Sequence, residues 1–313
     1  MTIDRIYLQL VNEMNLRDLF YLNSIAEHRH FGHAAEACNV TQPTLSSQIR
    51  KLEEELGVKL MERTNKRVDM TPVGLRILEH AQQALNAEAQ IRDVARAARD
   101  PLVGPIKLGV IPTLAPYLMP MILKPLQEAY PGLTIDLWED QTQALIDSLR
   151  NHRLDAALLA TKTDAPEITE ISLFVEPLMA ALPSKHRLAG ESAVKEEELA
   201  DDLLVLAEGH CLSNQALTAC GTKHGRSTGL RGSMQAATLD TLVNLVAAGY
   251  GATLIPSLAV ESFRRRDIVV RKLAGHSART IRLASRPSFP RPQALRALEK
   301  VIRKAVGPSQ LRH

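Results

Sequence analysis

Phe31-Gly-His-Ala-Ala-Glu-Ala-Cys-Asn-Val-Thr-Gln-Pro-Thr-Leu-Ser-Ser-Gln-Ile-Arg-Lys-Leu-Glu-Glu-Glu-Leu-Gly57 decides the fold of the N-terminal region. Its first part, His33 to Cys38, is built mostly from small residues and reads as a short helix that can pack closely on another. Asn39-Val40 makes a tight turn. Thr41 is a good N-cap and Pro43 suits the first helical turn. Leu45, Ile49, Leu52 and Leu56 then mark the buried stripe of the next helix, and Gln42, Thr44, Ser47, Gln48, Arg50 and Lys51 its polar face. Upstream, Leu16, Leu19, Phe20, Leu22, Ile25 and Ala26 fall near helical spacing. Downstream, Gly57-Val-Lys-Leu60 ends the helix, and Glu62 to Met70 reads as two short strands around a basic tip, Lys66-Arg67. Two short helices with a tight turn, the second polar and basic, followed by a basic hairpin, is the winged helix-turn-helix plan. Glutamine at such a helix start can bond adenine edges, while Ser, Thr, Arg and Lys take bases or phosphates. Taken singly, each element is more simply a solvated basic loop or an amphipathic helix. Their order makes DNA binding the better reading.

These residues, with Glu62-Arg63 and Met70-Thr-Pro-Val-Gly74, resemble the N-terminal signature of LysR-type transcriptional regulators, nearly without gaps. By that resemblance Gln42, Pro43, Thr44, Ser46, Ser47, Arg50 and the wing residue Lys66 match the positions that face DNA. Many family members carry arginine where Ser47 stands, which implies a weaker phosphate contact there. Cys38 reads as a small core residue. Residues Met1 to Glu13 precede the family's usual start at Met14. Ile3, Ile6, Tyr7 and Leu10 are helically spaced, so this segment fits an extra helix, a loose extension or an upstream start codon equally well.

Residues 14–71 are therefore expected to form the DNA-binding domain and 72–101 a linker helix. Pro72 can open that helix, and Ile77, Ala81, Ala84, Glu88, Ile91, Ala95 and Ala98 follow at alternating steps of four and three. That is a heptad seam with Glu88 as its misfit, read as a dimer contact because nothing nearby in sequence covers it. Asp100-Pro-Leu-Val-Gly104 is the hinge. From Gly104 onward, strands and helices alternate: strands at Ile106–Ile111, Leu133–Trp138, Asp155–Ala160, Leu203–Leu206, Ala252–Ile255 and Ile268–Arg271, with helices at Pro116–Ala129, Gln143–Arg150 and Leu239–Ala248. Such alternation predicts an α/β regulatory domain over 102–313, with mostly parallel sheets. Two Rossmann-like subdomains arranged as in a periplasmic binding protein are expected, at about 102–175 with 278–313 and at about 176–277. The return strand Thr280–Ala284 and a final helix Pro292–Ala305 rejoin the first, and ligand sites belong in the cleft between the two.

The 313 residues, 45% hydrophobic and 23% charged with a net charge of +3, are those of a globular protein rather than a disordered one. No apolar run approaches the ~20 residues of a membrane span, and Asp4, Arg5 and Gln9 break any signal-peptide plan. A cytoplasmic protein without a membrane partner is expected. No Gly-rich phosphate loop, zinc-protease motif or serine elbow is present, so the chain does not read as an enzyme. No cofactor and no metal are expected.

Cysteine is used only three times, and in a reducing compartment that favours sensing or buried thiols over structural disulfides. Cys211 and Cys220 flank a helical stretch. Over nine residues a helix rises about 13.5 Å, whereas a disulfide needs Cα atoms within about 7 Å, so a bond between them requires the helix to unravel. Ser213 and Asn214 read as caps that place Cys211 before free helix N–H groups, which favour a thiolate. Ile111-Pro-Thr-Leu-Ala-Pro-Tyr-Leu118, Leu154–Ala160, Glu208–Leu217 with Cys220, and Ala237–Leu242 with Val246–Gly249 resemble the sensor domain of the peroxide-sensing branch of the LysR family.

That resemblance implies that Cys211 is the peroxidatic cysteine, resolved by Cys220, and that Thr113, Thr142 and His210 hold hydrogen peroxide. It also implies promoter DNA and RNA polymerase as partners, a homodimer or homotetramer, and control of antioxidant genes. Ser213 and Asn214 stand where arginine and aspartate are usual, which removes the nearest cation and leaves His210 and the helix terminus to favour the thiolate. Two other readings stay open: the same fold sensing a small organic anion in the cleft with inert thiols, and a thiol peroxidase.

Overall fold

The computed structural model describes residues 14–63, 68–222 and 236–307. The segment Met1–Glu13 and the wing tip with Lys66 and Arg67 lie outside them. The described chain forms two compact units that divide at Ala95/Arg96.

In the first unit, helix α1 (Leu16–His28) opens with a capping box in which Asn15 and Asp18 satisfy each other's backbone N–H groups. Helix α2 (Phe31–Ala37) is capped by the His30 ring, whose Nδ1 accepts from the Gly32 and His33 N–H groups at 3.1 and 3.4 Å. Ala34 and Ala35 are fully or almost fully buried, and the Ser24 hydroxyl donates to the Ala34 carbonyl at 3.3 Å, so small residues do allow the close approach. Helix α3 (Gln42–Leu56) starts at the Thr41 cap, buries Leu45, Ile49 and Leu52, and ends at Gly57 in the left-handed region. Near its end the buried Glu53 carboxylate accepts from the Leu60 N–H at 2.9 Å and from Lys59 Nζ at 2.8 Å. This fastens the helix to the antiparallel wing strands β1 (Met61–Arg63) and β2 (Val68–Met70), paired Met61 to Met70.

Helix α4 (Pro72–Arg99) begins where a Cβ on Gly74 would lie 2.0 Å from the Leu60 carbonyl oxygen, so only glycine lets it seat against the wing. The structure divides the heptad seam. Ile77, Ala81 and Ala84, joined by Leu78 and Leu85, pack on the core of their own domain, because the helix folds back over it; Gln82 also donates to Asn23 at 3.0 Å. Farther along, Ile91 and Val94 are 71% and 57% exposed.

The second unit holds one mixed sheet. Its order is β4 (Leu133–Glu139), β3 (Gly104–Val110), β5 (Ala156–Leu159), β10 (Ala278–Ser285), β6 (Thr169–Pro183), β9 (Ile268–Leu273) and β7 (Ala193–Val194), with β8 (Thr253–Pro256) on β6. Pairings of β3 with β4 and β5, and of β7 with β9, are parallel; those of β6 and β10 are antiparallel. The expected mostly parallel sheets are thus corrected to a mixed one. The reason is β6, fifteen residues long, which runs alongside β10 and then alongside β8 and β9. The expected strand at Leu203–Leu206 is only two isolated bridges, Leu203 to Ala252 and Leu206 to Ala236.

Two apolar cores flank this arrangement. One gathers β3, β5 and β10 with helices α5 (Ala115–Ala129), α6 (Thr142–Arg150) and α9 (Pro292–Val306). The other gathers the end of β6 with β8, helix α8 (Leu239–Ala247) and most of helix α7 (Cys211–Ala219). Among the described residues no helix is long and apolar enough to cross a membrane.

Candidate functional site

On the first unit, the N-terminal half of α3 presents one polar face. Gln42, Pro43, Thr44, Ser47 and Arg50 are exposed, and Ser46 is half-buried. The Thr41 hydroxyl accepts from the Thr44 N–H at 3.4 Å and lies 2.8 Å from the Thr44 hydroxyl, so the cap orders the same turn that would meet base edges. Exposed glutamine, threonine, serine and arginine at a capped helix start can read a major groove and hold phosphates. Lys66 lies outside the described residues.

On the second unit, a narrow crevice is bounded by Ile111, Pro112, Thr113, Gln141, Thr142, Gly209, His210 and Cys211. Three separate pieces of sequence converge there: the residues that follow β3, the start of α6, and the glycine turn that leads into α7. Gly209 has φ +92° and lies against Gln141, where a Cβ would sit 2.2 Å from Oε1; the turn into α7 therefore requires glycine. Cys211 is the first residue of α7 and Cys220 its C-cap. Both thiols are free and buried, but Cys211 packs in the first core and Cys220 in the second. Beside the crevice, and sharing Pro112, Thr113 and His210 with it, opens a cleft of about 400 Å³ whose wall includes Tyr117, Glu139, Asp240 and Arg266.

The electrostatics centre on Arg279. It is buried on β10, paired at 2.8 Å with the equally buried Glu176 of β6. Its Nη1 and Nη2 donate to the Thr113 hydroxyl and carbonyl at 2.8 and 2.9 Å. Burial pushes the Cys211 thiol above its ordinary value of 9.0, outweighing the pull of the Arg279 guanidinium, the Thr142 hydroxyl and the Leu212 backbone N–H toward the thiolate. Burial also lowers the His210 pKa, against a hydrogen bond to the Ala237 backbone, so this ring is neutral at pH 7. Burial, with Glu196 and Asp202 nearby, raises the Cys220 thiol to about 11. With its pKa raised, Cys211 has thiolate as its minority form throughout the neutral range. Its fraction, and hence its rate with an electrophile, should climb about ten-fold per pH unit between pH 6 and 8. A thiol-alkylation rate already flat above pH 7 would contradict this.

The model of the LysR substrate binding domain matches residues 99–307, and that of the bacterial regulatory helix-turn-helix protein, lysR family, matches residues 16–75. The chain belongs to the LysR family. Within it, the DNA-binding transcriptional dual regulator OxyR of Escherichia coli K12 is 41% identical over 293 residues, 93% of this chain and 95% of that protein. The probable hydrogen peroxide-inducible genes activator of Mycobacterium avium is 40% identical over 91% of this chain and 92% of its own. Among solved structures, full-length OxyR of Pseudomonas aeruginosa with a cysteine-to-aspartate substitution superposes with a TM-score of 0.71 at 37% identity, covering 93% of this chain and 98% of that one. A hydrogen-peroxide-bound cysteine-to-serine mutant of Corynebacterium glutamicum OxyR gives 0.64 at 33% identity, covering 94% of each chain. This is an OxyR-like LysR regulator that binds DNA through its helix-turn-helix, and the family is one of transcription regulators, not enzymes.

In this LysR regulator, Thr113, Thr142, His210 and Cys211 line one crevice, while Cys220 stands at the far end of α7. Two details of the local reading are corrected. Ser213 and Asn214 are the third and fourth residues of α7 rather than caps, and His210 occupies the N-cap position without a side-chain cap bond. Among the described residues, the cation that draws Cys211 toward its thiolate is Arg279 rather than His210.

Proposed function

We propose that the chain is a peroxide-responsive transcription regulator in which Cys211 is oxidised by hydrogen peroxide and resolved by Cys220. The observation that carries this reading is the crevice in which two threonines and a histidine border one cysteine. The Cys211 sulfur attacks one peroxide oxygen; an S–O bond forms, the O–O bond breaks, and the other oxygen leaves as water after taking the thiol proton. Thr113 and Thr142 can donate to and accept from the peroxide oxygens. The Cys220 sulfur then attacks the sulfenic sulfur, forming the S–S bond and releasing a second water. Overall, two thiols are oxidised and one peroxide is reduced.

Because the two cysteines sit at opposite ends of α7, about 13.5 Å of helix must unwind before they meet. Unwinding withdraws Leu212 and Ala216 from the second core, and this is the structural change that DNA binding registers. The polar face of α3, with Gln42, Pro43, Thr44, Ser46, Ser47 and Arg50, reads promoter DNA, with Lys66 on the wing. A homodimer or homotetramer, joined through the part of α4 that bears Ile91 and Val94, presents the change to RNA polymerase in the cytoplasm. Both side chains are exposed in the single chain, which supports that contact.

The test is titration of the reduced protein with peroxide, with cysteine states mapped by mass spectrometry and promoter contacts by footprinting. A Cys211–Cys220 link together with an altered footprint is expected. Thiols that stay unlinked while the footprint is unchanged would overturn the reading. The 400 Å³ cleft favours a second reading, a small-molecule effector with inert thiols. Its wall carries Glu139 and an ion pair, Asp240 with Arg266 at 2.9 Å.

A further inference from the structure

The Thr113 hydroxyl is 2% exposed with its residue and accepts a hydrogen bond from Arg279 Nη1. A guanidinium has donors only, so the hydroxyl cannot donate back to it. Its own proton must point elsewhere; Thr113 lines both the crevice and the neighbouring cleft, and the crevice is the one of the two that Cys211 borders. Arg279 thus determines whether this threonine offers a proton to a bound peroxide or merely a lone pair.

What holds Arg279 is Glu176. The two residues lie directly opposite each other across β10 and β6. Oε2 of Glu176 accepts from Arg279 Nε at 2.9 Å and lies 2.8 Å from Nη2. Oε1 accepts from the Leu258 N–H at 3.0 Å, in the first turn of the short 3-10 helix Ser257–Phe263. Both oxygens are committed, and neither side chain of the ion pair is exposed. A carboxylate is needed for this double role, because an amide presents an acceptor on one side only and would turn a donor toward either Arg279 or Leu258.

The geometry points to Glu176 as a positioning residue of the peroxide site, holding Arg279 so that the Thr113 hydroxyl proton is aimed into the crevice. This rests on the peroxide reading of Cys211 and adds to it a residue that never touches peroxide. The chemical step is unchanged: Glu176 alters only how well the departing peroxide oxygen is met by a donor.

The test uses the full-length chain with Cys38→Ser and Cys220→Ser, leaving Cys211 as the single thiol. Two rates are measured across pH 6 to 9, oxidation by hydrogen peroxide and alkylation by iodoacetamide. Alkylation reports the thiolate and needs no donor from Thr113; oxidation needs both. Glu176→Gln removes the negative partner of Arg279 and leaves its positive field on Cys211 uncompensated, so alkylation should hold or quicken while oxidation slows about ten-fold. Glu176→Asp keeps the charge but shortens its reach, so oxidation should slow with alkylation unchanged. Thermal unfolding is recorded for both, and the aspartate variant decides if the glutamine variant does not fold. Rates that move together, or that do not move at all, overturn the positioning role. A parent Cys211 inert to peroxide overturns the peroxide reading itself, which separates the two failures.

Discussion

Cys211→Ser should abolish every peroxide-dependent change in promoter binding while leaving basal DNA affinity intact. Cys211 belongs to the second unit and the α3 face to the first, and a serine hydroxyl is nearly isosteric with the thiol, so the fold should survive. The hydroxyl is not a nucleophile toward peroxide at neutral pH, and no other thiol borders the crevice. The measurement is a footprint or anisotropy titration before and after peroxide, alongside mass mapping of Cys38 and Cys220. Cys220→Ser gives the complementary outcome, a sulfenic acid on Cys211 that persists because its resolving partner is missing. A Cys211→Ser protein that still responds would move the sensing function elsewhere in the chain.

Arg279→Met should strongly destabilise the second unit. It strands the Glu176 carboxylate in the interior without a cation and removes two hydrogen bonds from Thr113. Breaking one side of a buried pair costs about 3–5 kcal/mol, which for a unit of this size lowers the melting temperature by roughly 6–20 °C. It also removes the cation that draws the Cys211 thiol toward its thiolate, so reaction with peroxide at pH 7 should fall by roughly ten-fold or more. Stability and reactivity can be separated. The double variant Arg279→Met, Glu176→Leu replaces the pair with apolar groups and should recover much of the stability. It should not recover the reactivity. A double variant that regained both would mean Arg279 acts only through the fold.

How far the chain can be read without coordinates depends on sequence distance. The helix-turn-helix is written locally: Thr41 caps the helix, Leu45, Ile49 and Leu52 bury, and Gln42 to Arg50 face outward, all within one short segment. The cysteine pair is local as well, and its helix lies between the two thiols as expected. Strand β6 was not legible, because Glu176 and Pro177 interrupt its apolar pattern and its partners lie far along the chain. The same gap hid the role of Arg279, whose partner Glu176 is 103 residues away and whose contact Thr113 is 166 away. The expected return strand begins at Thr280, one residue after Arg279, so the strand reading does not include this arginine. The heptad reading of α4 failed in its first half for a related reason. Spacing reveals that a face is apolar but not whether its own domain will cover it.

Helix α7 is anchored at one end in the first core and at the other in the second, and this bears on how the proposed switch is reset. Any free energy lost in melting the helix is carried by the oxidised form alone, so it raises the reduction potential of the Cys211–Cys220 couple. Each 1.4 kcal/mol of lost packing is worth about 30 mV for a two-electron couple. Refolding of the helix therefore favours reduction by cellular thiols. The packing that holds the cysteines apart also sets how long an oxidised signal can last.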